Sequence, residues 1–250
     1  MKIIHLSDLH FHTSNNKNRK ALATLKKVNE KFSDHYIVLT GDIVDDGHVK
    51  QYENAFKALK PFKGRIFIAP GNHDFGAAGN FYSREKAKLF DKKLSSPLEQ
   101  GGTFCFENKP VVNVVQDGDE STMFIALDTN LETNHPFDFA CGEIGQTQLS
   151  DLSAILNNPT VPGMKKILFF HHHPFMRNDP FMKLKDAKRL ARLIYNKVDV
   201  VMFGHKHEME KWENRWGAAY VLASDNSPGK TKANRIVIKK GVIKFDYVAL

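Results

Sequence analysis

Residues 65–75 of the chain read RIFIAPGNHDF, an apolar run followed at once by a Pro-Gly turn and three polar side chains. The run Ile66–Ala69 predicts a buried strand that ends at this turn. Asn72, His73 and Asp74 come directly after it, and their side chains can bind a metal ion or move a proton. Because ligands of open α/β sheets bind beyond the carboxyl ends of the strands, we expect a functional site here.

Polar side chains follow four other predicted strands in the same way. The strands are Lys2–Leu6, His35–Thr40, Lys166–Phe170 and Val198–Phe203, and the residues that follow them are Asp8, His10, Asp42, His171, His172, His173, His205 and His207. Any one such pair occurs often by chance, but the whole series in chain order does not. Carboxylates and imidazoles without a thiolate suit Zn, Mn, Fe or Ni and argue against a closed cysteine site.

Helical patterns separate these strands. The predicted helices are Asn18–Phe32, with Leu22, Leu25 and Val28 on its buried face, then His48–Leu59, Ser83–Phe90, Thr147–Leu156 and Asp186–Lys197. Further strands are predicted at Thr103–Glu107, Val111–Val115, Met123–Leu127, Ala218–Ala223, Arg235–Lys239 and Val242–Val248. The β-α-β-α-β alternation in the first half is typical of a mostly parallel sheet. Two halves of sheet in one chain predict a sandwich of sheets with helices outside.

Composition places the chain among ordinary globular proteins. It has 250 residues, 42% hydrophobic and 26% charged, which predicts a single domain over residues 1–250. No apolar run approaches a membrane span, and the N-terminus begins directly with a strand pattern, so we expect a cytoplasmic location. Cys105 and Cys141 are too few for a disulfide framework. The net charge of +8 favours anionic partners, although the basic residues are dispersed.

The motif series resembles that of the calcineurin-like metallophosphoesterases. The matching motifs are Asp8-x-His10, Gly41-Asp42, Gly71-Asn72-His73-Asp74, a His before Pro174, and Gly204-His205-x-His207. The resemblance implies an α/β fold, a four-layer αββα sandwich of two mixed sheets flanked by helices, with two divalent transition metal ions at one edge. It implies that one metal binds Asp8, His10, Asp42 and His207, and that the other binds Asp42, Asn72, His172 and His205.

Charge points to the chemistry of such a centre. Two divalent cations carry four positive charges, and Asp8 and Asp42 cancel only half of them. A phosphoryl group that bridges the metals would supply further negative charge, and a metal-bound hydroxide could attack it in line with the leaving oxygen. Asp42 is expected to bridge the two metals. We therefore expect hydrolysis of phosphate esters.

Three consecutive histidines leave a choice of ligand. In the family that the chain resembles, the ligand typically lies two residues before the proline, which selects His172. Alternation along an extended segment then turns His171 and His173 to the opposite side. Packing is expected for both, with a contact to a ligand residue or to the substrate as the alternative.

The resemblance implies that His73 contacts the phosphate and protonates the leaving oxygen as a general acid. Related protein phosphatases keep a carboxylate at the position of Asp45 that orients this histidine, so Asp45 is assigned that role here. Asp74 is the competing orienting group, and a role in stabilising the turn is equally consistent with the sequence.

The departures from the family pattern indicate the substrate class. Ser/Thr protein phosphatases carry a phosphate-binding arginine where this chain has Asp46, which disfavours protein phosphatase activity. The segment from Leu127 to Asn130 resembles the branch of cyclic-nucleotide and glycerophospho-diesterases. Residues 175–182, with Arg177 as a substrate contact, could form a lip for a small phosphate ester or nucleotide, and an ordinary packed loop is the alternative.

Other functions of the same superfamily remain as alternatives. A phosphomonoesterase and a DNA or RNA nuclease share the chemistry, and the pI of about 9.3 supports the nuclease. No separate nucleic-acid-binding segment is evident. A scaffold without catalysis is disfavoured because every expected ligand is present. His12, Asn130 and His135 are expected to be bystanders in loops.

Overall fold

The computed structural model describes residues 1–77, 79–100, 102–104, 109–118, 120–130, 140–159, 163–176 and 178–250. Its elements in chain order are β1 (Lys2–Leu6), α1 (Arg19–Lys31), β2 (Tyr36–Thr40), α2 (Val49–Leu59), β3 (Ile66–Ala69), α3 (Asn72–Phe75), β4 (Gly76–Ala77), β5 (Phe81–Tyr82), α4 (Arg84–Phe90), β6 (Val111–Asp117), β7 (Glu120–Ala126), α5 (Gln146–Leu156), β8 (Lys165–Phe169), α6 (Ala187–Ile194), β9 (Val200–Phe203), β10 (Glu210–Arg215), β11 (Ala218–Ala223), β12 (Lys232–Lys239) and β13 (Val242–Ala249). A 3₁₀ turn at Lys60–Phe62 follows α2, and a π-helical turn at Asp91–Ser95 follows α4.

Two mixed sheets form the body of the protein, as predicted. The first has the strand order β13-β12-β1-β2-β3, and the second has the order β10-β11-β9-β8-β7-β6. Strands β1, β2 and β3 are parallel, as are β11, β9, β8 and β7. The carboxyl ends of each parallel set therefore lie at one edge of its sheet.

Both faces of the central strands are buried. On β7, Phe124 and Ala126 belong to the core shared with the first sheet, whereas Met123 and Ile125 belong to the core shared with α5 and α6. This alternation follows from the period of two along a strand. Between the sheets, the ring of Phe67 on β3 stacks on Phe124 with centroids 4.2 Å apart.

Helices cover the outer faces of the sandwich. The helices α1 and α2 bury Leu25, Val28 and Tyr52 in the same core as the first sheet. The helices α5 and α6 bury Leu152 and Leu190 against the second sheet. The protein is thus an αββα sandwich.

Some local predictions were wrong. Leu22 is 41% exposed, because the buried stripe of α1 runs through Ala21, Leu25 and Val28 instead. Of the strand predicted at Thr103–Glu107, the two described residues, 103 and 104, are not in a strand. The edge strand β10 was missed because nearly every residue in it is polar or exposed.

The two loops that follow β1 and β2 continue side by side beyond the strands. The amide of Asp8 donates to the Gly41 carbonyl at 3.1 Å, and the amide of His10 donates to the Asp42 carbonyl at 2.9 Å. The second sheet joins them where the Gly204 amide donates to the His171 carbonyl at 3.0 Å. The polar residues at the strand ends therefore meet at one edge of the sandwich.

In the ranges given above, no helix combines the length and apolar character needed to cross a membrane. The cytoplasmic location stays a prediction. Cys141 is partly buried and its thiol donates to the Pro180 carbonyl at 3.1 Å, whereas Cys105 lies outside the described residues.

We expect Phe124→Ala to lower the free energy of unfolding by about 3–5 kcal/mol, because it removes a fully buried ring from the core between the sheets. Urea unfolding followed by circular dichroism measures the change. Val114→Ala is the control, since Val114 is 52% exposed on the edge strand β6 and should change stability by less than about 0.5 kcal/mol. Equal effects of the two substitutions would contradict the packing described here.

Candidate metal centre

Candidate metal ligands converge where the two sheets meet. Among the described residues, three groups have ligand atoms within 4.8 Å of one another: Asp8, His10 and His207; His10, Asp42 and His73; and Asp8, Asp42 and His171. The Asp42 Oδ2 atom lies 3.8 Å from His10 Nε2 and 3.3 Å from His171 Nε2. The Asp42 carboxylate therefore has one group of candidate metal ligands near His10 and another near His171.

The backbone at these residues adopts an unusual conformation. Asp8, His10, Asp42, His205 and His207 all have positive φ, between 47° and 77°. Non-glycine residues rarely adopt this region, and such strain is concentrated at functional sites. The hydrogen bonds between the two neighbouring loops hold this conformation in place.

Two glycines permit the close approach of the carboxylates. A Cβ at Gly71 would overlap the Asp42 carboxylate, and a Cβ at Gly204 would overlap Ser7 and approach Asp8. The motifs Gly71-Asn72-His73-Asp74 and Gly204-His205-x-His207 thus need their glycines for packing.

The buried charges favour cations at this position. Burial would raise the pKa of Asp42, but the neighbouring His171 holds it well below its usual range. Burial would lower the pKa of His171, but the charges of Asp42 and Asp8 raise it to about 9. Burial would also lower the pKa of His10, but the Asp45 hydrogen bond and the nearby carboxylates raise it to about 9. The carboxylates therefore stabilise positive charge in the site.

Several buried ligand atoms have no hydrogen-bond partner among the described residues. They include Asp8 Oδ1, His10 Nε2 and His205 Nε2. An unpaired buried polar atom costs about 1–3 kcal/mol, and a bound cation would remove that cost. Oxygen and imidazole donors without thiolate match the preference of divalent transition metals. The residues therefore fit such a metal.

The structure also brings His171, for which packing was expected, to these groups. His171 Nε2 lies 3.3 Å from Asp42 Oδ2 and 3.0 Å from Asn72 Oδ1. Its Nδ1 donates to the Thr40 carbonyl at 2.8 Å, which leaves Nε2 free to face the site. The His171 Nε2 atom also lies 3.2 Å from Nδ1 of His205.

His172 lies next to the same groups. Its Nδ1 lies 2.7 Å from the Thr129 hydroxyl, its Nε2 is buried with no hydrogen-bond partner among the described residues, and its ring centroid lies 4.5 Å from that of His205. His173 instead pairs with Glu210 at 2.7 Å. That His172 binds a metal therefore stays a prediction, with His171 as a second candidate.

His73 is oriented by Asp45, but not in the predicted way. His73 Nδ1 donates to the backbone carbonyl of Asp45 at 2.8 Å. The Asp45 carboxylate instead lies 3.0 Å from His12 Nδ1 and 3.5 Å from His10 Nδ1. Asp74 accepts backbone hydrogen bonds from residues 43, 44 and 71, which matches its alternative role in stabilising the turn.

The segment predicted as a substrate lip is partly a packed loop. The Phe175 ring packs against Trp212 and Trp216, with centroids 4.6 and 5.0 Å away, and the Arg215 guanidinium lies 3.9 Å above it. Phe181 is 52% exposed. Arg177 and His135 lie outside the described residues.

A cleft beside His207 was missed by the sequence analysis. Its volume is about 340 Å³, and it is lined by residues 207–209, 229–232 and Asp225. Asp225 is buried and its Oδ1 lies 3.7 Å from His207 Nδ1. The sequence did contain a signal for Asp225, because Ser224-Asp225-Asn226 follows strand β11 in the same way that polar residues follow the other parallel strands.

Asn72 has a second partner that the sequence analysis did not identify. Its side-chain nitrogen donates to the Gly79 carbonyl at 3.0 Å, so that its oxygen faces His171. The turn between β4 and β5 thus fixes the orientation of the amide.

Known proteins resemble the chain in sequence and in fold. A family model described as calcineurin-like phosphoesterase matches residues 1–209. A probable cyclic nucleotide phosphodiesterase from Coxiella burnetii is 28% identical over 218 residues, which are 83% of this chain and 76% of that protein. A glycerophosphodiester phosphodiesterase from Enterobacter lignolyticus is 30% identical over 239 residues, 89% of this chain and 76% of that protein. A dimetal phosphatase from Danio rerio shares the fold, with a TM-score of 0.70, 13% identity and coverage of 100% and 96%.

Proposed function

The chain belongs to the calcineurin-like phosphoesterase family, a family of hydrolases of phosphoester bonds, and from this premise we propose that it hydrolyses phosphodiesters of small molecules or nucleotides. The observation that carries the proposal is the pair of ligand groups on either side of the Asp42 carboxylate. Two metal ions held by these groups would suit the displacement of an alcohol from phosphorus by water.

The ligand assignment follows the observed contacts. One metal would bind Asp8, His10, Asp42 and His207, and the other would bind Asp42, Asn72, His205 and either the predicted His172, whose Nε2 is buried without a partner among the described residues, or His171, which lies 3.3 Å from Asp42 Oδ2. Asp42 would contribute to both positions, and Mn, Fe, Zn and Ni all suit the donor set. When bound, the metals would polarise the phosphoryl oxygens and make water a stronger nucleophile.

His73 is the proposed general acid. The carbonyl of Asp45 occupies its Nδ1, so Nε2 is the atom that can deliver a proton. The His73 amide also donates to Asp42 Oδ1 at 3.0 Å, which ties the histidine to the metal centre. A proton from Nε2 would neutralise the leaving oxygen as its bond to phosphorus breaks.

Two features support a diester over a monoester. Asp46 stands at the end of the Asp42 loop, where its carboxylate accepts from Gln51 Nε2 at 3.3 Å, and this negative group would repel the second charge of a monoester dianion. The relatives reported above are named as phosphodiesterases of cyclic nucleotides and of glycerophosphodiesters.

The cleft beside His207 can hold the substituent that stays on phosphorus. The His10 ring neighbours both His73 and His207, with centroids 4.7 and 5.4 Å away, and the cleft is lined by His207. Its volume of about 340 Å³ lies within the range of small-molecule sites. A small molecule or nucleotide fits this space.

We expect elemental analysis of the metal-loaded protein to give two divalent metals per chain. His207→Ala should retain one, because His207 belongs to a single group, whereas Asp42→Ala should weaken both positions. Asp46→Asn is the control and should retain two. Saturation of the wild type at one metal per chain would contradict the dinuclear centre.

His73→Ala should keep its metals and its fold, because the backbone contact to Asp42 survives the substitution. Its turnover of an alkyl diester should fall by about 10²- to 10⁴-fold, the usual contribution of a general acid. A diester with a nitrophenyl leaving group needs no protonation and should lose less. The acid role is wrong if both substrates lose activity equally.

The wild type should have a higher kcat/KM for an aryl methyl phosphodiester than for the matching aryl monoester. Asp46→Arg should shift the ratio toward the monoester by roughly two- to fivefold, since one surface charge contact contributes up to about 1 kcal/mol. Asp46→Asn should shift it by less. A wild-type preference for the monoester, unchanged in both variants, would overturn the preference and its electrostatic reason.

A further inference from the structure

The Asp45 carboxylate, which also contacts His12, lies at the Nδ1 atom of His10, whereas the candidate ligand Asp42 lies at its Nε2 atom. Chain pairing brings these residues together: Phe11 and Val44 form a parallel bridge, and the Asp45 amide donates to the Phe11 carbonyl at 3.2 Å. The loops after β1 and β2 therefore run together for several residues. His10 and His12 flank Phe11 on one loop, and Asp45 lies opposite on the other.

The Asp45 carboxylate contacts both histidines through their Nδ1 atoms, with Oδ1 3.5 Å from His10 and Oδ2 3.0 Å from His12. The other ring nitrogen of His10, Nε2, is buried and has no hydrogen-bond partner in the described part of the chain. It lies 3.8 Å from Asp42 Oδ2. A carboxylate on Nδ1 keeps the proton there and leaves the Nε2 lone pair for a metal.

His12 is held in place more firmly than a bystander requires. Its amide donates to Asn18 Oδ1 at 2.7 Å, and its carbonyl accepts from Asn18 Nδ2 at 2.9 Å and from Asn54 Nδ2 at 3.0 Å. Asn18 and Asn54 are both buried. Two buried amides therefore fix the backbone of one loop histidine, whose ring then supports Asp45.

We propose that Asp45 and His12 are positioning residues for His10, and that they set the affinity of the Asp8–His10–His207 metal position without acting on the other position. The inference depends on the proposed function in one respect only, namely that His10 is a metal ligand. It separates two roles of Asp45, because His73 is held by the backbone carbonyl of Asp45 and His10 by its carboxylate.

Asparagine at residue 45 tests the carboxylate alone, since the backbone carbonyl that holds His73 is unchanged. Metal-free protein would be titrated with Mn²⁺, with binding followed by calorimetry and by the electron paramagnetic resonance of free Mn²⁺. We expect Asp45→Asn to weaken one of the two positions by about 10- to 100-fold, the usual effect of removing such a partner of a ligand. His12→Ala should weaken the same position by a smaller factor, and His12→Gln, which retains a donor, should restore part of the loss.

His207→Ala identifies the position, because it removes a ligand of the first metal only. In that background, Asp45→Asn should leave the remaining affinity unchanged. Asp46→Asn is the matched control, a neighbouring carboxylate that accepts from Gln51 Nε2 at 3.3 Å, and should bind both metals as the wild type does. Thermal unfolding of the metal-free variants should match the wild type, so that a loss of affinity does not reflect a loss of fold.

Wild-type affinity at both positions in Asp45→Asn would overturn the inference, and so would an equal loss at both. These results leave the proposed function intact, since two metals would still bind and diesters would still be hydrolysed. Two tight metals with no hydrolysis of any phosphodiester would overturn the proposed function instead, and the measured affinities would still decide the roles of Asp45 and His12. A wild type that binds no metal would overturn both.

Discussion

The burial of the Asp42 carboxylate is the constraint on which the rest of the site depends. This side chain is 2% exposed where the two sheets meet, and it must therefore be surrounded by positive or hydrogen-bonding groups. The His73 amide, the His171 ring and the His10 ring approach it from three different segments of the chain. Gly71 has no side chain because a Cβ would occupy the place of the carboxylate. Much of the geometry around it is a response to one buried charge.

These contacts around Asp42 require backbone conformations that non-glycine residues rarely adopt. Five residues of the site have positive φ, and each such conformation costs roughly 1–3 kcal/mol. The hydrogen bonds between the loops after β1 and β2, and from Gly204 to His171, offset this cost. The sandwich below the loops is buried on both faces of its central strands, so it provides a rigid base on which strained loops can persist.

The sequence predicted the fold and most of the site because apolar runs followed by polar residues are a local signal. Strand Ile66–Ala69 and the side chains after it could be found in this way, and the parallel pairing brought them together as expected. Two features depended on information that is not local. The choice between His171 and His172 depends on a single-residue register at a strand end, and the direction of the Asp45 carboxylate depends on the pairing of two loops. The exposed strand β10 lacks the apolar residues from which a strand is recognised.

The candidate ligands come from both sheets, and this has a consequence for the stability of the whole molecule. Asp8, Asp42 and Asn72 follow strands of the first sheet, whereas His171, His205 and His207 follow strands of the second. A metal ion bound to residues of both would cross-link the two sheets at their open edge. By mass action, such binding adds about 2.7 kcal/mol to the free energy of unfolding when free metal is at one hundred times its dissociation constant. The lifetime of the folded protein would then rise and fall with the free metal concentration around it.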